Sequence, residues 1–571
     1  MTLSRSFPLG GLYAAVALAA ATSCGTEPAP ARPTATAGHE HAAPRRAARQ
    51  LGTVELPTTC SEGVQRDVEQ ALGLLHHMMY EQAREGFEQV LARDPECAMG
   101  HWGVAMTFFH PLWGDTPSRE QLERGAAAVR RARELTRDAR ELAYIEAAAA
   151  YYEDWASRDE PARLASFERG ARALHERFPG DADAACFHAL SLLATAPPED
   201  RTYAQQRRAI AILDEVHERM PRHPGAIHYG IHAHDYPPLA ADGVHLADAY
   251  DRIAPEVPHA LHMPSHIYVR LGQWRKAAEW NRRSADAARR QPVDGARSMH
   301  YAHALDYLMY AYLQQMDDRR AAAVVEELGE ERRYQAHGAA AYGIAAAHAR
   351  WPLERREWER AAQLSTDAIG VGLHWDRQHH AAAVIAFARG LGAARSGDLA
   401  SADRALAELE RIERALAREA REAGELRYWH GRSEVQRDAV AAWIAHARGD
   451  QRAAVRLMTR AAEREEALGK HPTMPGFVLP ARELLGDLLL EQGRADAALA
   501  AYEASLRESP RRANGLYGAA RAAERLGDRE AQLDYSVRLA SMASGEAGDR
   551  PILRETLAYL EAQSPTRVAA R

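Results

Sequence analysis

Residues 484–510 read LLGDLLLEQGRADAALAAYEASLRESP, and the fold follows from how this stretch is punctuated. Apolar residues recur at helical spacing on both sides of Gly493, with no strict alternation. Gly493 marks a turn, since glycine reaches left-handed backbone without strain, and Pro510 stops the second helix. Gly486 and Ala498 are small where two helices must approach closely, and Tyr502 is the bulk that fills the space between them. The stretch reads as an antiparallel helix pair.

This pattern resembles the tetratricopeptide repeat, a helix pair of 34 residues. The same spacing recurs as Ala83, Phe87, Val90, Pro95, and in part as Gly397, Ala402, Leu406, Leu409 and as Gly449, Ala454, Met458, Ala461. Pro224, Pro258 and Pro292 stand at equal intervals of one repeat. Beyond residue 60 nearly every segment is an Ala/Leu/Arg/Glu-rich amphipathic helix. The expected architecture is therefore an all-α solenoid of antiparallel helix pairs over residues 51–565, roughly 15 of them, with a break near 330–360 left open.

The chain has 571 residues and a net charge of -7, from 72 Lys plus Arg against 79 Asp plus Glu. Apolar residues are 46%, too many for a disordered chain, and there is no basic excess of the kind nucleic-acid binding uses. Histidine stands out at 27 residues, roughly twice ordinary usage. Nucleophile elbows and phosphate-binding glycine loops are missing from the sequence. Arg/Glu-rich runs such as 404–422 read as solvated helix faces, and Trp102, Trp113, Trp274, Trp280, Trp351 and Trp358 as packing residues.

Residues 1–24 have the form of a signal peptide: Arg5, an apolar run from Phe7 to Ala21, then Ala21-Thr22-Ser23-Cys24. Small residues before Cys24 resemble the lipobox of bacterial lipoproteins, with Ala21 where leucine is usual. That resemblance implies lipidation of Cys24 and a location in the bacterial cell envelope. Gly25 lacks the aspartate associated with inner-membrane retention, which favours the outer membrane. The only membrane attachment expected is this N-terminal lipid. Residues 25–50 are Pro/Ala/Thr-rich and read as a flexible tether. Export implies an oxidising compartment, so Cys60 and Cys97, each expected at the start of neighbouring helices, are a candidate disulfide, with Cys186 a buried small residue.

Seven histidines fall between residues 228 and 266. Counted from the ruler prolines, His228 and His262 share one offset, and His232, His266 and His300 share a second. The third offset holds Asp235, Val269 and His303. These offsets lie on one helical face, and equal offsets in consecutive repeats place them on parallel first helices. The expected result is a groove bearing His228, His232, Asp235, His262, His266, His303 and Asp306. Pairs of His at i and i+4 suit a transition metal such as zinc, copper or iron, with carboxylates as accessory ligands. His232, His262, His266 and His303 are the expected primary ligands. Pro264 lies inside the second pair, which is tolerable only if a helix begins there. A hydrogen-bond network between packed helices and recognition of an anion by protonated histidines are the other readings of the grid.

Several blocks resemble a family of bacterial secreted or lipoprotein-type tetratricopeptide-repeat proteins. They are Ala71-Leu-Gly-Leu-Leu-His76, His101-Trp-Gly-Val-Ala-Met106, Ala226-Ile-His-Tyr-Gly-Ile-His232, His259-Ala-Leu-His-Met-Pro-Ser-His-Ile-Tyr268 and His303-Ala-Leu-Asp-Tyr307. The His-Met-Pro-Ser-His block is the most specific of these. The resemblance implies the repeat fold and supplies no reaction. The leading expectation is an envelope-anchored repeat protein whose concave groove takes a protein or peptide partner, or another ligand, beside a His/Asp metal site. A metal-dependent oxidative or hydrolytic enzyme and a purely structural interaction scaffold are the alternatives.

Overall fold

Tyr502 shows how the helices pack. Its ring lies between Gly486, on the helix Ala481–Glu491, and Gly518, on the helix Ala513–Leu526. A Cβ on Gly486 would stand 2.7 Å from that ring, so only glycine admits it. The hydroxyl donates to Asp487 at 2.7 Å, which gives the buried phenol a partner. Gly493 turns the chain between Ala481–Glu491 and Ala495–Glu508 at φ +76°.

The computed structural model describes residues 50–563 apart from 114–115, 332, 371, 421–425, 546 and 549. Cys24, the signal-like segment 1–24 and tether residues 25–49 lie outside the described residues. The described residues form a succession of α-helices without a strand, and consecutive helices pack as antiparallel pairs in an all-α solenoid. No described helix is long and apolar enough to cross a membrane. Near 330–360 the backbone of Arg297 pairs with those of Arg333 and Gln335, each at 2.9 Å. The flanking helices Met299–Gln314 and Gly338–Glu354 nevertheless pack on each other, and the described residues belong to one compact unit. Cys60 and Cys97 form a disulfide with Cα atoms 4.6 Å apart, Cys97 capping the helix Ala98–Met106. Cys186 is a free, buried thiol.

The superhelix winds tightly enough for distant repeats to meet. Arg512, fully buried, is paired with Glu483 at 2.8 Å and Glu354 at 2.9 Å, and donates to the Tyr310 hydroxyl at 2.9 Å. Trp274 donates its indole N–H to the carbonyl of Arg511 at 2.8 Å. The connection 469–480 runs along the inside of this winding: Arg350 donates to the carbonyls of Gly476 and Phe477 there. The inner face carrying the histidines is thus filled in part by the protein's own chain, where the repeat pattern by itself predicts an open groove.

Candidate metal centre

Proline at the first helical position is favoured because it has no N–H to leave unpaired, and Pro224 and Pro258 occupy that position in Pro224–His234 and Pro258–His262. Pro264 begins a new helix, Pro264–Arg270, with Met263 between them in helical conformation. The chain therefore restarts at Pro264, and His262 and His266 still meet. Pro292 breaks the ruler, since it lies in the turn before Met299–Gln314. Register is kept by helix starts instead. His228, His262 and His303 are each the fifth residue from their helix start. Four residues on come His232, His266 and Tyr307.

The Nε2 atoms of His266 and His303 each lie 3.0 Å from Nε2 of His262. Nitrogens around a tetrahedral zinc would be about 3.3 Å apart, from metal–nitrogen bonds of about 2.05 Å. All three rings are buried. The outer nitrogens settle the tautomers. His266 donates Nδ1–H to the Asp235 carboxylate at 2.8 Å. His262 donates Nδ1–H to Asn281 Oδ1 at 2.8 Å, and the Asn281 amide is oriented by its own donation to the Ala277 carbonyl at 2.7 Å. His262 and His266 thus present two Nε2 lone pairs to each other. An Nε2–H tautomer of His303 can donate to His262, and His266 still faces a lone pair.

Protonation does not relieve this at neutral pH. Burial, then His303 and His266 beside it, holds His262 well below the ordinary histidine range. Burial and the neighbouring imidazoles do the same to His303. For His266 burial outweighs the opposing pull of Asp235. Neutral imidazoles with lone pairs converging on one point are the form in which histidine binds a transition ion. The carboxylate behind His266 and the amide behind His262 are the outer partners that orient such ligands.

The expected ligands do not all join this triad. His228 and His232 pair instead with His259, their ring nitrogens converging nearby. Asp235 stands behind His266 and also bonds Lys470 at 2.7 Å and Arg270 at 2.8 Å, so its oxygens are spent. Burial opposes its ionisation, but Lys470, Arg270 and His266 together hold it well below the usual carboxylate range. Asp306 is a correction to the expected set: it is fully buried and paired with Arg350 at 2.8 Å. The partner that claims it comes from the next repeat pair, which helical offsets within one repeat do not reveal.

Two rings of the triad, His266 and His303, together with His232, lie in the wall of a partly open pocket of about 280 Å³. The rest of the wall includes Trp113, Tyr342, Trp429 and Pro472, so the space is mainly apolar and aromatic. The rings of His471 and His380 pack at a tilt against Trp429, with centroids 5.0 Å and 4.9 Å away. Four of these residues escape sequence reasoning. Trp113 reads there as a packing residue, whereas it lines the cavity. His259 has glycine at its equivalent in the Pro224 helix, so the repeat comparison passes over it. Lys470 and His471 arrive on a connection far along the chain from the histidine-rich repeats, with no local signal.

No family model matches the chain, and no curated protein matches it. Among solved structures, a similar chain is found in the human IFIT1 dimer with m7Gppp-AAAA, at 11% identity and a TM-score of 0.34, over 78% of this chain and 89% of that one.

Proposed function

We propose that this protein is a metalloprotein in which His262, His266 and His303 hold one first-row transition ion, zinc, copper or iron, at the wall of a partly open pocket. The observation that carries the reading is the pair of unprotonated Nε2 atoms facing each other at 3.0 Å, with their outer N–H groups already committed to Asn281 and Asp235. Three protein ligands leave a coordination position open toward the cavity, the arrangement of catalytic rather than structural ions. A small, largely apolar molecule with one metal-binding group fits that space. This favours a metal-dependent binding site or enzyme for small molecules over an extended peptide groove, because the chain's own 469–480 connection occupies the inner face.

The segment ending at Cys24 supports delivery to the bacterial envelope and lipid anchoring there, as in the secreted repeat proteins that the His-Met-Pro-Ser-His block resembles. The Cys60–Cys97 disulfide is consistent with an oxidising compartment. Loss of fatty-acid labelling on Cys24→Ser is the expected outcome; unchanged labelling rejects the anchor.

Elemental analysis of untagged protein tests the metal reading. The expected result is stoichiometric metal, reduced by one ion per chain in His262→Ala with His266→Ala while helical circular dichroism is retained. Metal below about 0.1 per chain after incubation with zinc, copper and iron rejects it.

A further inference from the structure

A second set of buried imidazoles lies against the first. His228 and His232 are one turn apart on Pro224–His234, and His259 follows Pro258 on the neighbouring helix. The ring centroids of His228 stand 5.1 Å from His232 and 5.0 Å from His259. One nitrogen from each ring lies within 4.8 Å of the others. His228 donates Nδ1–H to the carbonyl of His76 at 2.6 Å, which leaves its Nε2 as a lone pair. That atom, Nε2 of His232 and both nitrogens of His259 are buried without a hydrogen-bond partner. Buried polar atoms are almost always paired, and four orphans on three adjacent rings are not an ordinary core. The two sets touch: His232 is 5.3 Å from His266, and His259 is 5.9 Å from His262, centroid to centroid.

We infer that His228, His232 and His259 bind a second metal ion, so that the two triads form a six-imidazole pair of sites, and that the ions are cuprous copper. The copper assignment follows from charge. Neither triad contains a carboxylate, and the nearest, Asp235, is already matched by Arg270 and Lys470. Two divalent ions would bring four positive charges into a buried space with nothing to offset them. Two monovalent ions bring half of that, and imidazole is a suitable ligand for copper. The pair presupposes the metal-binding reading of the first triad; the second triad stands on its own orphaned nitrogens.

The test is anaerobic titration of the full-length protein with Cu(I) against a chromophoric copper chelator, with zinc in parallel. Wild type is expected to retain two copper ions, and His259→Ala and His303→Ala one each. One ion, removed by His303→Ala and kept by His259→Ala, overturns the second site and leaves the first. One ion with the opposite pattern overturns the function proposed above and keeps this triad. Zinc bound at two per chain with no copper overturns the copper assignment. Should His259→Ala fail to fold, anomalous scattering at the copper edge from wild-type crystals decides: two peaks are expected, and a single peak, or water at the second triad, rejects the inference.

Discussion

Two buried histidine networks lie in neighbouring repeats of this protein, and they are built to opposite ends. In the first, Asp183 accepts from His76 Nε2 at 2.7 Å and from His223 Nε2 at 3.1 Å through one carboxylate oxygen. The remaining nitrogens are also engaged, His76 with the Tyr229 hydroxyl at 3.1 Å and His223 with Cys186 and the amide of Ala226. Gly225 packs so close to His76 that even a Cβ would collide with it. In the second, His262, His266 and His303 turn lone pairs on one another and open on a cavity. Composition and burial do not separate these clusters. The difference lies in whether each buried nitrogen has a partner that donates or accepts correctly, which fits the first to a structural role in the core and the second to the metal site proposed above.

The contrast can be broken most sharply at Asp183. Asp183→Ala leaves two buried imidazoles without their shared acceptor and is expected to destabilise the fold by about 3–5 kcal/mol, the range for breaking a buried charge pair. Metal content per folded chain should stay at the wild-type value; urea unfolding with elemental analysis checks both. If metal were lost as well, the two networks would not be functionally distinct.

The second network should respond in the opposite sense. Metal at about 100 times its dissociation constant is expected to stabilise wild type by about 2.7 kcal/mol. His303→Ala should remove the part of that gain that comes from the first triad, beyond the cavity cost of about 2–5 kcal/mol that truncating a buried ring imposes with or without metal. Thermal unfolding with and without added metal reads both quantities.

A smaller effect is expected behind the ligands. Asn281→Leu removes the acceptor that orients His262 and should weaken metal binding by about 10–100-fold without abolishing it. Competition with a chelator measures the change, and an unaltered affinity would show that Asn281 does not position the ring.

The smallest expected effect concerns His77, beside the first network, which packs against the Tyr250 hydroxyl at 2.9 Å. Burial pushes its pKa down to about 3 from an ordinary 6.5. The unfolded chain therefore takes up this proton first as pH falls. The stability it contributes is intact above 6.5 and drains away between 6.5 and about 3. Between pH 6.5 and 5.5 the loss from one such group is about 1 kcal/mol. His77→Gln should flatten the stability–pH curve of metal-free protein by that amount.

Much of the architecture was legible along the chain. Gly486, Gly493 and Tyr502 carry the helix pair because their sizes and backbone freedom act locally, within one repeat. The convergence of His262, His266 and His303 was legible too, but by an imperfect ruler. Pro292 does not start its helix, and the agreement at His303 comes from helix register. Asp306 was misassigned because its partner Arg350 lies in the next repeat pair. Trp113 could not be told from a packing residue, since an aromatic lining a cavity and one filling a core look alike in sequence.

The sequence alone determined the periodic helix pairs and the concentration of histidine on one face, because both depend on neighbours three or four residues apart. Only the tertiary structure decided which nitrogens face one another without a proton between them, and where the groove closes into a cavity. Those outcomes turn on fractions of an ångström in helix phase and on Lys470, which reaches Asp235 from 235 residues away. Local periodicity encodes neither.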